Sequence, residues 1–182
     1  NVIGYDNRPF KNINEMNEQM ILKWNKKVGV DDVVYFIGDF SFGGVKITTE
    51  IAHRLQGIIY VIQGNHDSYK TLSKTERFER IHEYGTEIYV KDDDVEKSDR
   101  NNGYQMIVLC HYPILVWNKH HKGSWMLHGH THGSLMPKFQ NTLYKRKIMD
   151  MGTNMWDYTP QSYNEVKSNM KKRIITTVDH HG

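Results

Sequence analysis

The stretch "IIYVIQGNHDS", residues 58–68, decides the fold. It opens with a short apolar run rich in β-branched and aromatic residues, and such a run predicts a buried strand. Gly64 comes soon after it, and glycine lets the backbone turn sharply or approach a neighbour closely. Asn65, His66 and Asp67 come next. Side chains capable of metal binding and proton transfer therefore stand at the carboxyl end of the predicted strand.

The same order recurs at three other places in the chain. Apolar runs at 32–37, 106–110 and 124–127 also predict buried strands, and they lead into "GDF", "HYP" and "HGHTHG". The carboxyl ends of neighbouring strands in an open α/β sheet form the crevice where ligands bind, so residues far apart in sequence meet there. We therefore expect the four strand ends to build one site.

Helices are predicted between these strands. Residues 13–28 place apolar side chains at helical spacing, a second helix is expected at 48–55, and a third over part of 70–83. The polar stretch 91–103 ends in Asn-Gly and predicts a hairpin loop. Helices that alternate with strands indicate a layered α/β fold, and we expect a single domain over residues 1–182.

Composition narrows the class of protein. The chain has 38% hydrophobic and 25% charged residues and no apolar run near the roughly 20 residues of a membrane helix, so no membrane partner is expected. The first residues lack a secretory pattern and Cys110 is the sole cysteine, which favours a cytoplasmic location. A net charge of +3 does not indicate a nucleic-acid partner, and the basic patches at 145–147 and 171–173 are interpreted as solvated surface.

The candidate metal ligands form a mixed set. Asp39 offers a carboxylate, Asn65 an amide oxygen, and His111, His130 and His132 offer imidazole nitrogens. Oxygen and nitrogen donors together suit Mn, Fe, Zn or Ni rather than a thiolate zinc site or a calcium cage. Each piece alone has another explanation, because Gly-Asp is a common turn, a single histidine is usually structural, and a short histidine cluster has incidental metal affinity. Their shared position at strand ends favours a metal site.

Residues 1–166 resemble the calcineurin-like metallophosphoesterase family, in particular its small bacterial and phage members. The motifs that carry the resemblance are "NVIGYDNRPF", "GDFSFGG", "GNHD", "HYPILVW", "LHGHTHG" and "MDMGTNMWDYTPQSYNEV". The resemblance implies a layered α/β/β/α sandwich that holds two divalent or trivalent transition-metal ions. It implies that Asp39 bridges the ions, that Asn65, His111 and His130 hold the second, and that His132 joins the first.

The family also has an Asp-x-His pair for the first ion at the end of its first strand, ahead of the segment that here begins with Asn1. A matching pattern stands in "RIITTVDHHG", residues 173–182, where a β-branched run precedes Asp179 and His181. We therefore expect a circularly permuted fold in which the original chain ends are joined around residues 168–170. Residues 170–182 would supply the first strand, and Asp179 and His181 would complete the metal site. Two alternatives stay open: an incidental tail, and a strand-swapped dimer.

The resemblance implies a hydrolase of phosphomonoesters or phosphodiesters, in which a hydroxide shared by the two ions attacks phosphorus. His66 and Asp67 are the predicted catalytic residues, with His66 as the acid or transition-state donor. Arg8 and Asn65 are predicted to contact the substrate, unless Arg8 only fixes its own loop through a salt bridge. The expected partner is a small phosphate ester, such as a nucleotide. A metal-dependent nuclease is the alternative activity, and a non-catalytic scaffold is expected if the terminal Asp-x-His does not dock.

Overall fold

The structure is a computed structural model that describes residues 2–95, 102–176 and 178–179. Its α-helices are α1 (Val2–Tyr5), α2 (Ile13–Lys27), α3 (Val45–Ala52), α4 (Tyr69–Ser73), α5 (Met136–Phe139) and α6 (Tyr163–Lys171). Its strands are β1 (Val33–Ile37), β2 (Ile58–Ile62), β3 (Arg80–His82), β4 (Thr86–Lys91), β5 (Tyr104–Cys110), β6 (Trp125–His128) and β7 (Ile148–Asp150). Short 3₁₀ helices cover His120–Lys122, Leu143–Lys145 and Thr153–Trp156.

The strands form two sheets. The first has the order β1-β2-β3 and is parallel throughout. The second has the order β4-β5-β6-β7, in which β4 runs antiparallel to β5 and the other pairs are parallel. Parallel strands alternating with helices confirm the predicted α/β class. Parallel pairing also places the carboxyl ends of these strands at the same edge of the sheet. The residues that follow the strands can therefore meet in one site.

Three groups of buried side chains hold the layers together, and β5 contributes to two of them. Ile107 and Leu109 point into the core between the two sheets, whereas Met106 and Val108 point to the outer face of the second sheet. This alternation is the two-residue period of a strand that is buried on both faces. The outer face of the first sheet is covered by α2 through Trp24. The sheets therefore pack face to face, with further layers outside them.

Most of the predicted elements are present. α2 matches the predicted helix 13–28, and β1, β2, β5 and β6 match the four predicted strands to within a few residues. β3, β4 and β7 were not predicted, and β3 and β7 have only 3 residues each, too few to show a period. No helix in the described part of the chain combines the length and apolar character needed to cross a bilayer.

The predicted hairpin at 91–103 is confirmed where the structure describes it. β4 and β5 pair antiparallel with Thr86 opposite Leu109, and the Asp92 N–H donates to the Gly103 carbonyl at 2.8 Å. Residues 96–101 lie outside the described residues.

The predicted junction of a permuted chain at 168–170 lies inside α6. This helix begins with a capping box in which Ser162 and Glu165 each accept a hydrogen bond from the other's backbone N–H. Val166 and Met170 are four positions apart, so they share one face of the helix, and both pack into the core between the sheets. Because burial of Val166 and Met170 stabilises the helical conformation, α6 continues through the predicted junction to Lys171.

The segment after α6 does not form the predicted first strand. Ile174 makes an isolated parallel bridge with Arg146, just before β7. Ile174, Ile175 and Val178 are each more than half exposed, at 54%, 54% and 51%. A strand within the sheet would bury such side chains, so the expectation that residues 170–182 supply the first strand is incorrect.

Candidate metal centre

The loops after β1, β2 and β5 converge, and two glycines permit the close approach. Gly38 has φ +84°, and a Cβ at this position would collide with the His111 imidazole. A Cβ on Gly64 would collide with the backbone nitrogen and the carboxylate of Asp39. Neither position accepts a side chain without moving a candidate ligand.

Four of the predicted metal ligands meet at this point. Asp39, His111 and His130 each offer a ligand atom within 4.8 Å of the others, a spacing that can hold a metal ion. Oδ1 of Asn65 lies 3.1 Å from Nε2 of His111 and 2.9 Å from Nδ1 of His130. Nε2 of His111 also lies 3.4 Å from Oδ2 of Asp39. The sequence prediction for these four residues agrees with their placement.

The hydrogen bonds of His111 show which nitrogen faces the group. Nδ1 lies 2.9 Å from the carbonyl oxygen of Ile37, which can only accept, so Nδ1 carries a proton. In the neutral imidazole, Nε2 then presents a lone pair to the Asn65 amide oxygen and the Asp39 carboxylate. Electron-pair donors that face one another need a cation between them, which is a proton or a metal ion.

The pKa values of these groups follow from their proximity. Burial raises the pKa of Asp39, but hydrogen bonds from His111 and from the His66 backbone outweigh it, so the pKa lies below its usual value. Burial lowers the pKa of His111, but Asp39 and the Ile37 carbonyl outweigh it, so that pKa is raised. Burial and the nearby His111 lower the pKa of His130. The lowered pKa values favour an ionised Asp39 carboxylate and a neutral His130 imidazole, which are the forms that bind metal, whereas the raised pKa of His111 favours a proton on the nitrogen between it and Asp39.

Three candidate ligands hold the backbone in the left-handed region. The φ angles are +57° at Asp39, +64° at His130 and +48° at His132. This conformation costs a non-glycine residue about 1–2 kcal/mol, so neighbouring contacts must enforce it. Strain of this kind concentrates at functional sites, where it is part of how side chains are aimed.

Asp67 organises the site without facing it. Oδ2 accepts the backbone N–H groups of Asp39 at 2.7 Å and Gly64 at 3.0 Å, and Oδ1 accepts that of Phe40 at 2.8 Å. The residue is 8% exposed. Because its carboxylate is engaged by the backbone of two ligand-bearing loops, Asp67 positions those loops. The predicted catalytic role of Asp67 is corrected accordingly.

Asp150 holds the histidine loop in the same way. Oδ2 accepts the Thr131 hydroxyl at 2.5 Å and the Gly133 N–H at 2.8 Å, and Oδ1 accepts the Gly152 N–H at 2.8 Å. The residue is 1% exposed. Asp150 was not predicted, although an aspartate that ends an apolar run, "IMD", is the same signal that identified Asp39.

His132 is outside the group of four and pairs with Asp6. Nδ1 of His132 lies 2.7 Å from Oδ2 of Asp6, and both residues line the cavity that contains Asp39. Burial raises the pKa of Asp6, but His132 and Arg8 outweigh it and hold the pKa below its usual value. Asp6 was not predicted, because nothing in "YDNRPF" shows that its carboxylate turns toward the histidine loop.

Arg8 and His66 were both predicted to face the substrate, and the structure separates them. The Arg8 side chain is 11% exposed and donates to Asp6 from Nε at 3.2 Å and from Nη2 at 3.0 Å. It therefore fixes its own loop, which was the alternative role. His66 is exposed and lines the cavity, and its backbone N–H donates to Oδ1 of Asp39 at 2.9 Å.

Asp179 lies at the opposite end of the second sheet. Its Oδ1 is 3.6 Å from Nε2 of His120, which precedes β6, whereas His130 follows β6. Asp179 is therefore not near the candidate metal ligands, and its predicted role as a ligand is wrong. The segment after α6 lies at the amino-terminal ends of the strands, whereas the candidate ligands lie at the carboxyl ends. His181 lies outside the described residues.

The chain is similar to proteins from an archaeon, a phage and a bacterium. It is 31% identical to the uncharacterized protein MJ1445 of Methanocaldococcus jannaschii over 182 residues, which cover 98% of this chain and 89% of the relative. It is 24% identical over 147 residues to the Gene 66 protein of Mycobacterium phage D29, covering 73% of this chain and 72% of that protein. No family model matches the chain.

A solved structure has the same fold. The crystal structure of AQ665 from Aquifex aeolicus, a protein of unknown function, matches with a TM-score of 0.63 and 19% identity, and the match covers 92% of this chain and 91% of that chain. At this identity the likeness concerns the fold alone.

Proposed function

We propose that this chain, which belongs to the family of the uncharacterized protein MJ1445, is a metal-dependent phosphoester hydrolase. The observation that carries the proposal is the group formed by Asp39, Asn65, His111 and His130. Lone pairs of a carboxylate, an amide and an imidazole face one another there, and the only other ring nitrogen of His111 is committed to the Ile37 carbonyl. A transition-metal ion satisfies all of these donors at once.

We place a second ion at Asp39, His132 and Asp6. The support is the 2.7 Å contact between Asp6 and His132, which places a carboxylate oxygen beside an imidazole nitrogen. Asp6 takes the role that Asp179 was expected to have. Two bound cations would neutralise the charge of a phosphoryl group and make hydroxide available from water near neutral pH.

The chain's own side chains supply orientation and proton transfer. Asp67 fixes the backbone on both sides of Asp39, so the carboxylate is held in place before substrate arrives. His66 presents an exposed imidazole to the same cavity, where it donates a proton to the leaving oxygen.

The test combines metal content with turnover. Manganese-reconstituted protein is examined by mass spectrometry for bound metal and by hydrolysis of bis(p-nitrophenyl) phosphate, in the original chain, in Asp39→Asn and in Asp31→Asn. Asp31 is exposed and serves as the matched control. We expect Asp39→Asn to lose bound metal and at least a hundredfold in kcat/KM, and Asp31→Asn to lose neither.

Other outcomes separate the competing functions. Bound manganese without turnover of any phosphoester would favour the non-catalytic scaffold. Equal metal content and equal turnover in Asp39→Asn would overturn the proposed site.

A further inference from the structure

Two exposed aromatic rings border the candidate metal centre. Phe42 follows Asp39 in the loop after β1 and is 68% exposed. Tyr112 follows His111 directly after β5 and is 47% exposed. Both rings line the same cavity as the candidate ligands. Large apolar rings are normally buried, and exposed ones beside a polar site offer a face on which a planar group can stack.

Each ring packs against a histidine of the candidate site. The Tyr112 ring packs edge-on against His130, with centroids 4.6 Å apart at 61°, and the Phe42 ring lies 4.7 Å from that of His66. Two residues before Phe42, the Phe40 N–H is fixed by Asp67. Rings fixed before binding lose little freedom when a ligand stacks on them.

The cavity is not built for a nucleic-acid chain. Its lining within the described residues includes three basic side chains, Arg8, Lys27 and Lys91. Arg8 is paired with Asp6, and Lys27 is paired with Glu165. Binding of successive phosphates along a strand requires a row of available cations. One phosphoryl site with adjacent rings instead suits a single nucleotide unit.

We infer that Phe42 and Tyr112 form a stacking surface that selects phosphoesters of a nucleoside over phosphoesters of alcohols without a planar ring. The inference rests on the proposed function, because it places the phosphoryl group at the metal centre. Stacking of one base on an aromatic side chain raises affinity by roughly tenfold or more. We expect the rings to change the binding affinity and not the rate of the chemical step, since they would contact the base and not the reacting phosphorus.

The first test measures binding. Isothermal titration of manganese-reconstituted protein compares thymidine 5′-monophosphate with 2-deoxyribose 5-phosphate, which carries a hydroxyl group in place of the base. We expect at least tenfold tighter binding of the nucleotide, reduced to threefold or less in Phe42→Leu combined with Tyr112→Leu. Tyr104→Leu is the matched control, because Tyr104 is 41% exposed at the other end of β5. Equal affinities in the original chain, or an unchanged preference in the double variant, would overturn the inference.

The second test measures hydrolysis with a common leaving group. Thymidine 5′-(p-nitrophenyl phosphate) and methyl p-nitrophenyl phosphate both release p-nitrophenolate when water adds its hydroxyl to phosphorus and the aryl P–O bond breaks. We expect the nucleoside ester to have the lower KM, with the difference lost in the double variant, whereas the control Tyr104→Leu keeps both the difference in KM and the kcat for the methyl ester. Equal KM values with good turnover would overturn the stacking surface alone. No turnover of either ester would overturn the proposed function, and the inference with it.

Discussion

The carboxylate of Asp67 lies 2.7 Å from the backbone nitrogen of Asp39, the residue that follows β1. It also accepts N–H groups from Gly64 and Phe40, so one side chain sets the relative position of two loops. Within the motif "GNHD", Asn65 faces the candidate metal centre and Asp67 faces the backbone behind it.

Asp67→Asn tests this arrangement. An amide has one oxygen, so its NH₂ group would meet a backbone N–H, and a buried donor would lose its partner. We expect the free energy of unfolding to fall by about 1–3 kcal/mol, and manganese affinity to fall by roughly 10- to 100-fold. Urea denaturation and manganese titration measure the two effects, with the exposed Asp93→Asn as control. Unchanged metal affinity in a folded variant would show that Asp67 does not position the ligands.

Gly64→Ala tests the close approach of the two loops. The added Cβ would collide with the backbone and carboxylate of Asp39, so the loops must separate. We expect loss of metal binding together with a lower midpoint of thermal unfolding. Gly44→Ala is the control, because a Cβ at Gly44 meets nothing within 4 Å. If both variants bind manganese like the original chain, the contact between these loops does not matter for the site.

Asp6→Asn tests the second ion. Removing the charge leaves His132 without its carboxylate partner and removes one proposed ligand. We expect the manganese content to fall from two ions to one per chain, because Asn65, His111 and His130 still hold the other. Mass spectrometry of the reconstituted protein gives the count. A variant that keeps both ions would place the second ion elsewhere.

Asp179→Asn tests the placement of the tail. Asp179 lies beside His120 at the amino-terminal side of the second sheet, so we expect the manganese content and phosphodiester turnover of the variant to equal those of the original chain. Loss of an ion would instead revive the permuted arrangement expected from the sequence. The same preparation of Asp39→Asn supplies the positive control for metal loss.

Glu165 gives a prediction for stability in acid. The Lys27 ammonium at 2.6 Å and the Ser162 hydrogen bonds lower the pKa of Glu165 from 4.5 to about 2. The folded chain therefore binds fewer protons than the unfolded chain between these values. The stabilisation is present above about pH 4.5 and is lost as the pH falls toward 2. Thermal unfolding from pH 6 to pH 2.5 should show a shallower loss in Lys27→Met, and parallel curves would contradict the coupling.

Part of the structure could be read from the sequence because its signals are local. The apolar run before Gly64 and the helical spacing of 13–28 are properties of contiguous residues, and the elements they predicted are present. Asp39, Asn65, His111 and His130 could be grouped because parallel strands place their carboxyl ends together. The resemblance to metallophosphoesterases supplied the individual roles and remains the basis of a proposal.

The errors concern contacts that no local pattern specifies. Whether "IITTV" pairs with a sheet depends on the position at which α6 ends. That position is fixed by the packing of Met170, which is fully buried. The contact between Asp6 and His132 spans most of the sequence, so neither residue's neighbours reveal it. The engagement of Asp67 by backbone N–H groups likewise became visible only when two loops were placed side by side.

The left-handed backbone at Asp39, His130 and His132 has a consequence for laboratory evolution of this protein. Glycine adopts that conformation freely, so a selection for heat resistance alone would reward glycine at these three positions. Each such gain would remove a donor atom from the candidate metal centre. Heat-resistant descendants of this chain that were selected for stability alone should therefore have higher melting temperatures and fewer of the side chains proposed to bind metal.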